Sequence, residues 1–405
     1  MAAEWTAINL GAVCSKIGSG ATPRGGGDVY LERGPYTLIR SQNVHNDGFH
    51  HDGLAHISEQ HARELDGVEV MKGDVLLNIT GDSVARVCQV DPLVLPARVN
   101  QHVAIIRPDP KRLDPRFLRY FLVSPDMQVK LLSWAGSGGT RNALTKGMIE
   151  SFDVPAPDNI VEQRAIAHIL GALDDKIELN RKMSEALEAM AQTLFNYWFV
   201  DIDHEIVKAQ NLIDEGVLEI GDGYRAKNSE LGKPGVPFIR AGDLSKGFDT
   251  DRADFLHESS VSKVNGKMCR PGDVAFTSKG TIGRFARVAR NSPRFVYSPQ
   301  VCFWRSLDSS RLEPSILYLW MMSDDFLAQL MSVAGQTDMA PYVSLQDQRH
   351  MLVPRFRETQ HHLARQITPI LDRITLLSAE SRALTELRNA LLPKLVSGDI
   401  RISRN

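Results

Sequence analysis

Apolar residues follow two rhythms along this chain, and the rhythms alternate twice. Short β-branched and aromatic runs, such as Val75–Ile79, Val103–Ile106, Val274–Thr277 and Val301–Trp304, are broken by Gly, Pro and Asp and predict strands. After Val154-Pro155-Ala156-Pro157 in the first half, and Val353-Pro354 in the second, a helical rhythm takes over. The first long helix is expected from near Asn159, where Asn159 and Glu162 have capping-box spacing, to about Phe199. Its apolar stripe runs through Ile166, Leu170, Leu173, Ile177, Leu187, Ala191, Leu194 and Trp198, interrupted by Asn180 and Ser184. The second runs through Leu363, Ile367, Ile370, Ile374, Leu377, Leu384, Leu387 and Leu391. Pro369 is expected to kink that helix or mark its start, and Pro393 with Gly398 to end it. Some forty residues at 1.5 Å each make a rod of roughly 60 Å, which needs a partner of similar length. The stripes therefore predict an antiparallel, coiled-coil-like pair with two globular domains at its opposite ends about a pseudo-two-fold axis. Two unrelated core helices are the alternative.

The halves repeat each other. Ile17-Gly18-Ser19-Gly20 recurs as Ile220-Gly221-Asp222-Gly223, Ile39-Arg40 as Ile239-Arg240, and Gly73-Asp74-Val75 as Gly272-Asp273-Val274. From Leu113 to Pro155 the match to Leu312–Pro354 is ungapped. The fold class is therefore α+β: mixed domains at 1–155 and 201–354, with long helices at 156–200 and, with a tail, 355–405. Residues 156–200 hold four basic and seven acidic side chains, and residues 355–405 hold nine and five, so the helical segments attract.

Composition removes several function classes. The chain has 405 residues, 43% hydrophobic and 24% charged, which is ordinary for globular domains. Its net charge of −2 gives no global sign of a nucleic-acid or membrane partner. Cys14, Cys88, Cys269 and Cys302 are too dispersed for a zinc module or disulfide framework, so a cytoplasmic location is expected. No apolar run approaches a membrane span, and no export signal opens the chain. There is no Pro-Pro dipeptide, hence no Asp/Asn-Pro-Pro-aromatic methyltransferase signature, and neither a phosphate-cradling glycine loop nor an H-E-x-x-H helix is present. His50-His51 and His361-His362 lack a carboxylate at ligand spacing, so no metal site is expected.

Charge is concentrated locally. Residues 263–305 carry nine Lys and Arg against Asp273 alone, and residues 86–119 carry seven against three acidic residues. Such segments suit duplex DNA, where cations neutralise phosphates while Arg, Asn and Gln reach base edges. A solvated basic face is the alternative.

At these residues the chain resembles the specificity (S) subunits of type I restriction-modification systems. The resemblance rests on Gly20-Ala21-Thr22-Pro23, Thr277-Ser278-Lys279-Gly280-Thr281-Ile282-Gly283, Tyr297-Ser298-Pro299-Gln300 and Gln336–Leu345. It also rests on Glu162–Asn180 and Leu391–Gly398 in the helices. It implies two target recognition domains, each reading half of a split site in double-stranded DNA, and helices that dock modification subunits. Two such subunits are expected, with restriction subunits in the full complex. It further implies no catalysis by this chain, because S-adenosylmethionine and ATP belong to the partners. Position then nominates Arg40, Thr80, Asn100, Gln101 and Arg141, with Arg240, Lys279, Thr281, Arg284, Gln300 and Tyr342, for DNA contacts. Arg40 and Arg240 also suit a structural role. Ile166, Leu173, Ile177, Leu187, Leu194, Ile374, Leu384 and Leu391 are nominated for the partner-binding helices.

Overall fold

The computed structural model describes residues 4–136, 142–200, 205–244, 247–334, 341–356 and 359–402. The chain divides into two compact units, Met1–Leu179 with Ser381–Asn405, and Asn180–Glu380. The fold is mixed helix and strand, and the long helices, Ile160–Val200 and Gln360–Ser397, each contribute to both units.

The first unit holds an antiparallel sheet in the order Cys14–Ser19, Val103–Pro108, Val75–Asn78, Val87–Gln89. A second sheet runs Ala55–Ile57, Tyr36–Ile39, Ala97–Val99, Glu69–Val70, in which Ala97–Val99 lies parallel to Tyr36–Ile39. Val75 and Leu77 enter the core shared with the helix Pro115–Val123, whereas Leu76 enters the core of Ile39 and Val99. This strand is apolar at consecutive positions because both of its faces are covered.

The second unit repeats this order. Its first sheet runs Leu218–Asp222, Val301–Ser306, Val274–Thr277, Phe285–Arg287, and its second runs Asp254–His257, Gly235–Ile239, Val296–Tyr297. A two-stranded antiparallel pair accompanies each unit, Trp5–Asn9 with Asp153–Pro157 and Glu205–Lys208 with Leu352–Arg355. The sequence repeat is thus a repeat of topology.

The Ile-Gly-x-Gly repeat has a steric cause. A Cβ on Gly20 would lie 1.6 Å from the Val99 carbonyl oxygen, and one on Gly223 would lie 2.1 Å from that of Ser298. Each glycine lets a strand end press against the turn that closes the adjacent sheet. Gly20→Ala is expected to lower the unfolding free energy by about 3 kcal/mol, the upper end of overpacking costs, because backbone rather than a side chain must yield. A thermal midpoint within 2 °C of wild type would refute this.

Buried ion pairs recur as well. Arg107 grips Asp74 through Nε and Nη2, each at 2.7 Å, and Arg305 grips Asp273 at 2.7 and 2.8 Å. At the start of each long helix a buried glutamine clamps the globular part. Gln163 accepts from the Asp114 N–H and donates to the Pro157 carbonyl, while Gln360 accepts from the Glu313 N–H and donates to the Arg311 carbonyl.

Within each unit the helix segments run antiparallel. In the first, Ile166, Ala167 and Leu170 share a core with Leu392, Leu395 and Val396, while Asp174 meets Arg388 at 2.8 Å. In the second, Phe195 shares a core with Leu363 and Ile367, while the buried Asn180 donates to Glu380 at 2.9 Å. Of the nominated helix residues, Ile166 is buried, Leu194, Ile374 and Leu391 flank the two main cores, and Leu173, Ile177, Leu187 and Leu384 are half-buried. Asp174 also accepts from Arg119 and Tyr120, each at 2.6 Å. Burial would raise its carboxyl, but the Arg119 charge and the bonds from Arg388, Tyr120 and Arg119 prevail and hold it below the ordinary range.

Pro369 neither starts the second helix nor lies at its edge. The helix begins at Gln360 and passes through Pro369 and Pro393, ending where Gly398 takes φ +83°. Each proline forgoes the bond to the carbonyl four residues back. Buried Leu363, Ile367 and Leu371 on both sides of Pro369 keep the helix going.

Candidate nucleic-acid interface

In the second unit, four segments meet beyond the strand ends. The turn after Val274–Thr277 passes Ser278, Lys279, Gly280, Thr281, Ile282 and Gly283 to Arg284, with Gly280 and Gly283 at φ +81° and +89°. Side chains rarely adopt that region, so the two glycines fix the turn. Ser278 N–H donates to the Gln300 carbonyl at 3.0 Å, Val343 N–H to Ser278 at 2.9 Å, Gly280 N–H to Pro341 at 3.2 Å and Ser298 N–H to Ile239 at 2.9 Å. These bonds bring Lys279, Thr281, Arg284, Gln300 and Tyr342 together, all exposed, with the Lys279 ammonium 6.0 Å over the Tyr342 ring. Arg240 joins the same cluster, exposed but paired with Asp254 at 2.7 Å.

The first unit is stitched in the same way. Ile79 N–H donates to His102 at 2.9 Å, Leu144 N–H to Ile79 at 2.8 Å and Asn100 N–H to Ile39 at 3.1 Å, and Thr80 bridges Ala143 as Lys279 bridges Tyr342. Thr80 is half-buried and Gln101 exposed. Asn100 is buried, and its Oδ1 accepts from the His102 N–H at 3.0 Å, so it forms the turn. Arg40 turns inward: its Nη2 donates to the Gly53 carbonyl at 2.5 Å and its guanidinium lies 5.3 Å over the Tyr30 ring. Arg141 lies outside the described residues.

The ladders also set the correspondence between the units. The connection from Asn78 to Val87 is one residue longer than that from Thr277 to Phe285, so the offset falls from 199 to 198 along it. His102 therefore stands at the place of Gln300, Gln101 at that of Pro299, and Arg86 at that of Arg284. His102 and Arg86 were missing from the residues nominated by sequence. Matching Arg107 with Arg305, 198 apart, would have found them.

The basic run at 263–305 proves less concentrated in space. Lys263 pairs with Glu230, Lys267 with Asp222, Arg287 with Asp372 and Arg305 with Asp273 and Glu219, while Arg270 reaches Glu219 at 4.0 Å. Lys279, Arg284, Arg290 and Arg294 are exposed. In the first unit, Arg98, Arg107, Arg116 and Arg119 are likewise held by carboxylates.

Among the described residues, one group places metal-ligand atoms close together: His45, Asp47 and His50, within 4.8 Å of one another. The two imidazoles stack at 3.9 Å with an interplanar angle of 13°, so their in-plane lone pairs run side by side rather than converging. His45 Nε2 is bonded to the Gln42 carbonyl and His50 Nε2 to Asp47. No helix among the described residues is long and apolar enough to cross a membrane.

Residues 3–189 match the family described as the type I restriction modification DNA specificity domain. Over 305 residues the chain is 27% identical to the type I restriction enzyme MjaIX specificity subunit of Methanocaldococcus jannaschii, covering 70% of this chain and 68% of that protein. This chain is similar to the type I restriction-modification specificity subunits, and residues 3–189 match their DNA specificity domain. A stretch of 152 residues, 37% of this chain and 33% of its relative, is 34% identical to the type I restriction enzyme HindI specificity subunit of Haemophilus influenzae. The fold matches that of the type I restriction-modification S subunit from M. genitalium with a TM-score of 0.62 at 17% identity, covering 100% and 97% of the two chains. The role of a specificity subunit is recognition of a DNA sequence, and the family match spans all the stitched segments of the first unit.

Proposed function

We propose that each unit of this specificity subunit reads one half of a bipartite site in duplex DNA, and that the long helices dock two modification subunits. The chain itself carries out no reaction. Methyl transfer from S-adenosylmethionine resides on the modification subunits, and ATP-driven cleavage on restriction subunits.

One observation supports the half-site reading above the rest. The same stitched turns occur in both units, yet at matching places they offer different groups: Thr80 against Lys279, His102 against Gln300, and Gln101 against Pro299. A shared frame with changed side chains suits two readers of different base sequences. Docking is supported by Met183, Met190, Tyr197, Leu376 and Leu387, large apolar side chains exposed along the helices.

The purified chain is expected to show neither methyl transfer nor cleavage, and to direct adenine methylation to one two-part motif once its modification subunit is added. Mapping methylated adenines across a genome supplied with both subunits tests this. Methylation by the chain alone after rigorous purification, or a continuous single motif, would overturn it.

A further inference from the structure

In the first unit the reading surface contains a chain of side-chain hydrogen bonds with no counterpart among the described residues of the second. The Thr22 hydroxyl donates to Gln101 Oε1, Gln101 Nε2 meets His102 Nε2 at 3.0 Å, and His102 Nδ1 meets the Thr80 hydroxyl at 2.6 Å. Gln101 is exposed, whereas His102 and Thr80 are half-buried behind it. In the second unit the matching places hold Pro299, Gln300 and Lys279.

The polarity of this chain follows from its donors. An amide nitrogen only donates, so His102 Nε2 must accept from Gln101, and the imidazole proton therefore sits on Nδ1, directed to Thr80. Each end of the Gln101 amide is thus engaged by one bond. One N–H and one oxygen lone pair of this exposed side chain remain. That donor–acceptor pair is the group that fits the N7 and N6 edge of adenine in the major groove. An amide free to flip would present the reverse pattern half of the time; His102 and Thr22 together hold one orientation.

We propose that Gln101 reads an adenine of the half-site bound by the first unit, and that His102 is the positioning residue that fixes the direction of the Gln101 amide. This inference rests on the half-site reading above. It assigns a base to one side chain and a role to a residue that touches no base.

The test uses the specificity subunit in complex with its modification subunit, and binding to duplexes in which each adenine of the motif is replaced singly by 7-deazaadenine. Wild type is expected to lose affinity by about five- to fifty-fold at one adenine of one half-site, where the Gln101 N–H loses its acceptor. Gln101→Ala should bind the normal and modified duplexes alike. His102→Ala should shrink the analogue effect to under about threefold, and His102→Gln, which restores an acceptor toward Gln101, should recover part of it. Sensitivities in the other half-site should not change in any variant, which shows that the variants are folded. If no adenine is sensitive, or if the sensitivity survives Gln101→Ala, the base assignment is wrong. If His102→Ala weakens all duplexes equally and keeps the analogue effect, His102 only braces the turn. Should wild type show no base preference in that half at all, the half-site reading itself fails.

Discussion

Replacing Asp273 by alanine should destabilise the second unit by about 3–5 kcal/mol, the range for removing one partner of a buried pair. Arg305 is 3% exposed and Asp273 fully buried, so the guanidinium left behind gains little water and keeps Glu219 as its one carboxylate. The loss extends further. Asp273 also accepts from the Tyr297 hydroxyl and the Arg270 N–H, each at 2.9 Å, and burial together with this carboxylate pushes the Tyr297 phenol well above its ordinary range. Four donors thus lose one acceptor pair. Arg305→Met combined with Asp273→Leu should recover part of the loss, because an apolar pair removes the desolvation cost of the guanidinium while the Tyr297 hydroxyl and the Arg270 N–H still lack their acceptor. Urea unfolding of the single and double variants measures both effects, and a single-variant loss under 1 kcal/mol would contradict the argument. Asp74→Ala should cost the first unit less, since Arg107 keeps partial access to water.

The second large effect concerns DNA. Lys279 and Arg284 are the exposed cations that the stitched turn itself presents, whereas most other cations of the run are held by carboxylates. Changing both to alanine should lower affinity by one to two orders of magnitude at about 0.1 M salt. It should also reduce the log–log salt slope by somewhat under two, at about 0.9 per phosphate contact. Folding should be unaffected, because neither side chain packs in a core. Wild-type affinity and slope in a folded variant would show that this face is merely solvated.

What the sequence disclosed depended on how local the cause was. The glycines at 20 and 223 and the aspartates at 74 and 273 were visible as repeated residues, and the helix stripes by their period, whereas the close approach and the burial that demand them were not. Strand order was not, since the pairing of Val103–Pro108 with both Cys14–Ser19 and Val75–Asn78 is a contact between distant segments. The basic run misled for the same reason: Arg305 counts as a surface cation until Asp273 is seen against it. Of the two expectations for Pro369, a helix start fails, because buried leucines and isoleucine on both sides carry the helix through it. At the reading surface, one extra residue in a turn concealed the match of His102 with Gln300.

The division of the chain has a consequence for its synthesis. The second unit is a single continuous stretch, Asn180–Glu380, and has all its parts once that stretch has left the ribosome. The first does not. Its core needs Leu392, Leu395 and Val396, some two hundred residues after its own last strand, Asp153–Pro157. The domain made first is therefore finished last, and until residues 381–402 arrive the core that holds Ile166, Ala167 and Leu170 lacks Leu392, Leu395 and Val396. A fragment ending at residue 380 would hold all of the second unit and only part of the first, so a C-terminal truncation should weaken the unit that begins the chain.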